Sequence, residues 1–353
     1  MSENILVTGG AGFIGIHTSL LLIEKGFNVT IIDSLVNSSI KSIERLKKHI
    51  VENKSLSSNQ LKFQKGDVRD INFLKTVFAQ AQDSDNPLSS VIHLAGLKSV
   101  SDSIKFPNLY WDINFCGTLQ LLNVMQEFNC KKFVFSSSAT VYSFNVESPL
   151  FESSIIEPFN PYGKTKFAVE NFLQDLKNKP NDSWKFISLR YFNPIGAHPS
   201  GNFGESPSNK PNNLFPRICN VGSGKEKKLL IYGKDWPTFD GTCVRDYIHI
   251  MDLAEGHIAA LDYINKETKK SFFVSINLGR GMGISILELV RTFEQVNNIK
   301  INFEFIDKRA GDKGVVFADC SKAKEILDWQ PKRNLSQMCQ DGWQWQIKNP
   351  NGY

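Results

Sequence analysis

Three glycines spaced three residues apart constrain the fold of this chain more than any other feature. Gly9, Gly12 and Gly15 follow the apolar run Ile5–Thr8 and open a helical pattern over Phe13–Lys25. The first glycine allows a tight turn, the second lets the backbone approach a pyrophosphate, and the third lets helix and strand pack closely. The helix N-terminus adds positive potential for phosphate. This strand-turn-helix context predicts a dinucleotide site, and a glycine-rich loop without a ligand is the alternative.

Short apolar runs alternate with helical patterns through the first half of the chain. Further strands are predicted at Val29–Asp33, Leu61–Lys65, Ser90–Leu94, Lys132–Ser136 and Phe186–Tyr191. Further helices are predicted at Asn114–Phe128 and Tyr162–Leu176. Strands that alternate with helices imply a parallel sheet covered on both faces. We therefore expect an α/β fold, a Rossmann-type doubly wound parallel sheet with a smaller mixed α/β substrate domain.

The amino-acid composition changes after Asn193. The segment Pro194–Pro216 is rich in proline, glycine, asparagine and serine, which predicts a long loop leaving the sheet. A length of 353 residues suits about two domains. We expect a dinucleotide-binding domain over 1–190 and a substrate domain over 191–243 and 265–353, with 244–264 returning to the first domain.

Composition excludes several classes of function. The net charge of +5 comes from 41 basic and 36 acidic residues that are dispersed, so no nucleic-acid partner is expected. No run approaches the roughly 18–20 apolar residues that a membrane helix needs. The six cysteines form no Cys-x-x-Cys pair and the six histidines are scattered, so no metal is expected. The short N-terminus before the first apolar run leaves no room for a signal peptide, which favours a reduced, cytoplasmic location.

Two aspartates follow predicted strands at positions suited to an adenosine. Asp33 ends the second strand, where a carboxylate can accept both ribose hydroxyls and would repel a 2′-phosphate. This favours NAD over NADP. Asp67 follows the third strand and could bond the adenine amino group. The alternatives are a helix cap for Asp33 and a turn residue for Asp67.

A tyrosine and a lysine four residues apart begin the helix predicted at Tyr162. On a helix, this spacing places Tyr162 and Lys166 on one face. A nearby ammonium and a nicotinamide cation both favour the phenolate, so Tyr162 could remove a proton from a hydroxyl while hydride leaves the same carbon. Ser138 leaves the end of a predicted strand and could relay that proton. The alternatives are a surface pair for Tyr162 and Lys166 and a turn or cap for Ser138.

These residues together resemble the extended short-chain dehydrogenase/reductase superfamily. Longer motifs narrow the resemblance to the UDP-glucose 4-epimerase family, and the match runs from about residue 4 to 345. These motifs are Asp33–Ser38, His93–Lys98, Ser136–Tyr142, Leu189–Pro194, Pro211–Leu214, Asp240–His249 and Arg309–Asp312.

The resemblance implies two adjoining sites that share Ser138 and Tyr162. The implied NAD site also comprises Lys166 and Gly9, Gly12, Phe13, Ile14, Gly15, Asp33, Asn37, Asp67, Val68, Leu94, Ala95, Gly96, Lys98, Asn114 and Phe192. The implied UDP-sugar site also comprises Asn193, Asn213, Leu214, Leu230, Ile231, Tyr232, Arg245, Arg309, Asp312 and Val316. Two arginines suit a pyrophosphate because guanidinium groups bind it in a bidentate manner. A surface ion pair is the alternative for either arginine.

The activity implied by the resemblance is reversible C4 epimerisation of UDP-galactose and UDP-glucose, part of galactose metabolism. Ser138, Tyr162 and Lys166 would be the catalytic residues, and NAD would stay bound while the sugar passes through a 4-keto form. Nucleotide-sugar 4,6-dehydratases need an Asp-Glu pair where this chain has Ala139-Thr140, and non-catalytic NAD-sensing proteins typically lose the tyrosine.

Two further expectations follow from the resemblance. Bacterial members carry a bulky tyrosine four residues after the aspartate that corresponds to Asp312, whereas this chain has Val316. The smaller side chain could admit a 2-acetamido group, unless the stiff valine packs inward and keeps the pocket closed. The family usually forms homodimers through a four-helix bundle, here expected around Phe106–Phe128 and Tyr162–Asn178.

Overall fold

Strands and helices alternate along the first half of the computed structural model, which describes residues 2–207, 213–309 and 311–353. In chain order they are β1 (Asn4–Thr8), α1 (Phe13–Glu24), β2 (Asn28–Asp33), α2 (Ile40–Glu52), β3 (Leu61–Lys65), α3 (Ile71–Asp83), β4 (Leu88–His93), α4 (Val100–Lys105), α5 (Pro107–Tyr110), α6 (Gly117–Glu127), β5 (Lys132–Ser138), α7 (Pro161–Lys177) and β6 (Lys185–Tyr191). A π-helix at Trp111–Cys116 joins α5 to α6, and short 3-10 turns lie at Ser58–Gln60 and Ala139–Val141.

The second half contains shorter strands between helices. They are β7 (Asn193–Ile195), α8 (Leu214–Gly222), β8 (Leu229–Tyr232), β9 (Val244–Arg245), β10 (Tyr247–His249), α9 (Ile250–Lys266), β11 (Phe272–Leu278), β12 (Ile284–Ser285), α10 (Ile286–Asn297), β13 (Phe303–Ile306), β14 (Val315–Val316), α11 (Ser321–Leu327) and α12 (Leu335–Lys348). The motif residues Pro211, Asn212 and Ala310 lie outside the described residues.

A seven-stranded parallel sheet forms the centre of the described chain, in the order β11-β6-β5-β4-β1-β2-β3. The chain runs from β1 outward to β3 and then returns to build the other half from β4. Loops after β1 and β4 therefore diverge from neighbouring strands, which is where ligands bind in open α/β sheets. The predicted Rossmann-type doubly wound fold is confirmed.

Apolar side chains cover both faces of this sheet. One face packs against α1 and α9, with Leu20 and Leu261 in its core. The other face packs against α3, α6 and α7, with Met125 and Leu173 in its core. The strands are buried on both sides, which explains why their sequences are continuous apolar runs.

A separate apolar core organises the part of the chain that we call the second region, namely α8, β8, β9, β12, α10, β13, β14 and α12. Phe215, Ile218, Phe293 and Met338 are buried there. We call the seven-stranded sheet and its covering helices the sheet region. No helix of the described residues is both long enough and apolar enough to cross a membrane.

Three sequence-based assignments differ from the structure. The helix predicted from Asn114 begins as a π-helix, in which the side-chain amide of Asn114 is bonded to Leu97 in the loop after β4. The loop predicted over Pro194–Pro216 contains part of β7 and the start of α8, since Pro194 lies in a short ladder opposite Ile248. Segment 265–353, assigned to the substrate domain, contributes β11 to the central sheet and α11 to its covering layer.

Candidate active site

The glycine-rich turn joins β1 to α1 and leaves an open approach to the helix N-terminus. Gly9 has φ of 68°, and a Cβ there would lie 2.7 Å from the nitrogen of Ala95. A Cβ on Gly15 would lie 2.3 Å from the carbonyl oxygen of Gly9, so the helix packs directly on the turn. Gly12 precedes α1 without a side-chain cap. The free N–H groups of the first turn, beginning at Phe13 and Ile14, fit a phosphate.

Asp33 holds the turn and the following loop together. Its Oδ2 accepts from the nitrogen of Ala11 at 3.0 Å, and its Oδ1 accepts from the nitrogen of Leu35 and Oγ of Ser38, both at 2.8 Å. The alternative role as a helix cap is excluded, because Ser39 caps α2. Asp33 therefore lies beside the glycine turn, as predicted. The predicted contact Asn37 is exposed on the same loop.

Asp67 and Val68 follow β3 and differ in their surroundings. The Asp67 carboxylate pairs with Arg69 at 2.7 Å, and hydrogen bonds from Arg69 lower its pKa. Val68 is buried where α6 begins, since a Cβ on Gly117 would lie 2.9 Å from its side chain. Asp67 also accepts a turn hydrogen bond from the nitrogen of Asp70, so the turn role that we considered is present.

The loop after β4 is held between β1 and α7. Thr8 Oγ1 accepts from the nitrogens of Leu94 and Ala95, both at 3.2 Å. Asn114 accepts from the nitrogen of Leu97 at 2.8 Å and donates to its carbonyl at 3.0 Å. A Cβ on Gly96 would lie 3.7 Å from Lys166 Nζ, so this loop adjoins the predicted catalytic pair.

Ser138, Tyr162 and Lys166 meet at the carboxyl end of β5. Asn160 caps α7, which places Tyr162 in its first turn and Lys166 one turn later. The ammonium of Lys166 donates to the carbonyl of Ser136 at 2.7 Å and lies 5.8 Å from the centre of the Tyr162 ring. Ser138 Oγ accepts from the nitrogen of Thr140 at 3.2 Å. The structure therefore brings the three predicted catalytic residues together.

Burial alone opposes ionisation of both members of the pair. It raises the pKa of Tyr162 to about 12, although a hydrogen bond with Ser138 acts in the opposite direction. It also lowers the pKa of Lys166 to about 7. The chain by itself thus favours a neutral phenol. An oxidised nicotinamide would add the positive charge that favours the phenolate, so these residues fit a positively charged dinucleotide.

Phe192 and Asn193 lead from β6 toward the second region. Phe192 is buried, and its nitrogen donates to the carbonyl of Leu278 at 3.2 Å. The side-chain amide of Asn193 donates to the carbonyl of Asp246 at 3.0 Å. Both predicted residues therefore lie where the sheet region and the second region adjoin.

Several predicted sugar-side residues cluster in the second region. The Arg309 guanidinium lies 4.9 Å from the centre of the Tyr232 ring and pairs with Asp312 at 3.2 Å. Arg245 on β9 donates to the carbonyls of Val244 and Lys313, both at 2.8 Å. The ion pair that we considered as an alternative for Arg309 is therefore present.

The remaining residues predicted to bind the sugar nucleotide differ in their position and in their burial. Val316 on β14 is opposite Arg245 in a parallel ladder. Leu230 is half-buried on β8, and Asn213 and Leu214 lie at the start of α8. Ile231 was predicted as a contact, but its side chain is fully buried in the apolar core of the second region.

Sequence reasoning missed two buried carboxylates beside these residues. Glu170, on α7 one turn after Lys166, pairs with Arg190 of β6 at 2.6 Å. Asp246 accepts from the backbone nitrogens of Arg280, Gly281 and Ala318, although its burial raises its pKa overall. Arg190 and Asp246 both lie inside motifs quoted above. Their charge within buried segments was the signal that could have identified them.

The fold and the geometry around Tyr162 define an extended short-chain dehydrogenase/reductase. A family model described as GDP-mannose 4,6 dehydratase matches residues 6–342. UDP-glucose 4-epimerase 2 of Arabidopsis thaliana is 46% identical over 100% of this chain and 97% of its own length.

Two solved structures are similar over nearly their whole length. UDP-glucose 4-epimerase from Bifidobacterium longum, in complex with NAD+ and UDP, is 41% identical with a TM-score of 0.90, covering 99% of this chain and 100% of that one. UDP-glucose-4-epimerase from Stenotrophomonas maltophila, with NAD and formylated UDP-arabinopyranose, is 39% identical with a TM-score of 0.91, covering 99% of both chains. The chain belongs to the UDP-glucose 4-epimerase family.

Proposed function

We propose that this chain reversibly interconverts UDP-galactose and UDP-glucose at C4 with a tightly bound NAD. The observation that carries the proposal is the placement of Tyr162 beside Lys166 and Ser138, next to the turn that opens α1. One set of strand ends thus presents a proton acceptor and a phosphate-binding turn. When bound, NAD would supply the acceptor for the C4 hydride and the donor for its return, so the reaction would have no net redox change.

The chain's own contribution to chemistry is proton transfer. Tyr162 takes the proton from the sugar 4-hydroxyl, and Ser138 hydrogen-bonds the same region as charge develops. Lys166 adds positive charge near the phenol and holds the nicotinamide ribose. The NAD-site residues named from the sequence, from Gly9 to Phe192, line the dinucleotide in this proposal.

The sugar must present both faces of C4 to the same cofactor. The UDP end of the substrate must therefore be bound firmly, whereas the hexose must be free to turn. We propose that Asn213, Arg245 and Arg309 bind the UDP moiety and that Asp312 binds its ribose hydroxyls. Guanidinium groups suit the pyrophosphate because they form bidentate, charge-assisted hydrogen bonds. The hexose then turns about its pyrophosphate linkage while the uridine end stays in place.

The test is to incubate purified protein with UDP-galactose, without added NAD, and to identify the product by NMR. We expect UDP-glucose to form with the endogenous cofactor. The absence of UDP-glucose from a preparation shown to contain NAD would reject the proposed activity.

A second candidate activity rests on Val316. Its side chain is half-buried and packs against a small cluster that includes Tyr142 and Phe192. This packing is the inward arrangement that we considered as the alternative, but valine fills less volume at this position than a tyrosine would. We propose that the remaining space admits a 2-acetamido group, so UDP-N-acetylgalactosamine is also a substrate. V316Y should lose turnover of the acetylated sugar and keep turnover of UDP-galactose. No turnover of the acetylated sugar by the wild-type protein at saturating enzyme would reject this activity.

We also propose a homodimer in the cytoplasm. Ile104, Phe106, Leu109 and Trp111 are 62%, 58%, 45% and 36% exposed along α4, α5 and the adjoining π-helix. Contiguous exposed apolar side chains are typical of an interface. Light scattering after gel filtration should give twice the chain mass, and a monomer at micromolar concentration would contradict the proposal.

We also propose which parts of the chain bind each ligand. We propose that the sheet region holds NAD and that the second region holds most of the UDP-sugar. Within residues 244–264, α9 belongs with the sheet region in this proposal because it packs against α1. Val244 and Arg245 stay with the second region, because β9 pairs with β12 and β14. Residues 272–278 and 321–327 belong with the sheet region too, since they form β11 and α11.

A further inference from the structure

Glu205 lies in the loop between β7 and α8. One of its carboxylate oxygens accepts hydrogen bonds from both the sheet region and the second region. Its side chain is only 12% exposed, and buried carboxylates are normally paired. Oε1 accepts from Lys98 Nζ at 3.0 Å and from Asn213 Nδ2 at 3.2 Å. Lys98 belongs to the loop after β4 and Asn213 begins α8, so the carboxylate joins elements far apart in sequence.

Asn213 is oriented by Glu205 rather than by its own helix. Asparagine is among the best N-cap residues because its side chain can accept from the N–H groups of the first turn. Asn213 occupies the N-cap position of α8, yet its side chain makes no capping hydrogen bond. Its amide donates to Glu205 instead.

The backbone on both sides of Glu205 is anchored by the C-terminal part of the chain. The carbonyl of Glu205 accepts from Trp345 Nε1 at 3.0 Å. The nitrogen of Gly204 donates to the hydroxyl of Tyr353 at 3.1 Å. A Cβ on Gly204 would lie 2.3 Å from the Trp345 indole, so the segment packs tightly on α12. The carboxylate is therefore presented from a well-held position.

We propose that Glu205 is a positioning residue that holds Lys98 and Asn213 in the orientations in which they meet the dinucleotide and the UDP-sugar. The inference rests on the proposed function, which supplies the roles of those two residues. Because both donors share Oε1, Lys98 Nζ and Asn213 Nδ2 stay within about 6 Å of each other. Glu205 thereby couples the cofactor side of the site to the sugar side.

A simple charge effect would act in the opposite direction on NAD. If Glu205 only neutralised Lys98, removing its charge would strengthen the attraction of Lys98 for a pyrophosphate. If it orients Lys98, whose side chain is 59% exposed, removing the charge leaves a flexible lysine and weakens NAD retention. The sign of the change in NAD content therefore separates the two roles.

The test compares E205Q and E205A with the matched control E226Q. Glu226 has a similar exposure of 15% and pairs with Arg217 at 3.4 Å, away from Lys98 and Asn213. We expect E205A to raise KM for UDP-galactose and Kd for UDP about 10-fold, as expected for losing a hydrogen bond with a charged partner. We expect kcat to change less than about threefold, and both Glu205 variants to retain less NAD after gel filtration. E226Q should match the wild type.

Double-mutant cycles decide whether Glu205 acts through its two neighbours. In an N213A background, E205A should no longer affect UDP binding, and in a K98Q background it should no longer affect NAD retention. Full, additive losses in these backgrounds, unchanged KM and NAD content in E205A, or higher NAD retention in E205Q would overturn the inference. If E205A does not fold, E205D replaces it, since it keeps the charge but withdraws the carboxylate by one methylene.

The binding measurements separate this inference from the proposed function. UDP affinity and NAD content require no turnover. A wild-type protein that binds UDP and NAD but does not epimerise UDP-galactose refutes the proposed function alone. A wild-type protein that epimerises UDP-galactose while E205A binds both ligands normally refutes the role of Glu205 alone.

Discussion

The two sides of the candidate site differ in how completely the chain organises them. On the dinucleotide side, Asp33, Asn114 and Lys166 are buried. Asp33 and Asn114 are bonded to backbone groups of loops, and Lys166 is bonded to a backbone carbonyl of β5. On the sugar side, Arg309 is 55% exposed, and among the described residues it contacts the Asp312 carboxylate and the face of the Tyr232 ring. The first arrangement suits a cofactor that stays bound. The second suits a ligand that enters and leaves, because ligand oxygens can replace the partner of an exposed guanidinium at low cost.

Removing the phenol of Tyr162 should have the largest effect on activity. Y162F deletes the proton acceptor, and general base catalysis contributes about 10²–10⁴-fold, so kcat should fall at least 100-fold. NAD content and UDP affinity should change little, because the ring and Lys166 remain. Steady-state kinetics with UDP-galactose check this, and activity within about tenfold of the wild type would remove Tyr162 from the mechanism.

Removing a UDP-binding side chain from the second region should weaken substrate binding and leave the chemical step almost unchanged. R309Q removes the guanidinium beside Tyr232, so we expect KM for UDP-galactose to rise roughly 10–100-fold, with kcat within about threefold. R291Q, at a more distant position in α10, is the control and should behave as the wild type. A fall in kcat at unchanged KM would place Arg309 in the chemical step instead.

Alanine substitutions at two glycines of the turn should affect the stability of the fold and the binding of NAD to different extents. In G15A, the new Cβ would lie 2.3 Å from the Gly9 carbonyl, so unfolding free energy should fall by about 1–3 kcal/mol. In G12A, the new Cβ would lie 3.3 Å from the Gly9 carbonyl oxygen, a tight contact but a much milder one. Stability should therefore fall less than in G15A, while the approach to α1 is narrowed and NAD content falls. Thermal melting and cofactor content after gel filtration measure both. Equal destabilisation of the two variants would contradict the packing argument.

Mild acid should weaken the sheet region through its buried histidines. Burial lowers the pKa of His17 and His93 to about 3 and that of His257 to about 4. The unfolded chain binds these protons near pH 6.5, so their contribution to stability is complete above that value and declines as pH falls toward about 3–4. Urea unfolding at several pH values measures this decline. H257N, which cannot titrate, should lessen the dependence on pH.

Local patterns predicted the sheet and much of the dinucleotide side. The Gly9 turn, Asp33 and the Tyr162–Lys166 pair are each recognisable within a few residues of sequence. The contact between Glu205 and Lys98 joins positions 107 residues apart, and no short pattern encodes it. The pairing of β11 with β6 was missed for the same reason, because it depends on the path of the whole chain. The π-helix at Trp111–Cys116 was missed too, and the hydrogen bonds of its Asn114 with Leu97 join positions 17 residues apart.

The most direct test of the central claim follows the hydrogen at C4. The purified protein would be incubated with UDP-galactose in deuterium oxide without added NAD, and the UDP-glucose formed would be analysed by NMR. If hydride leaves C4 for the bound NAD and returns to the same carbon, the product carries protium at C4. Deuterium at C4 of the product, or no UDP-glucose from a preparation that contains NAD, would contradict the account.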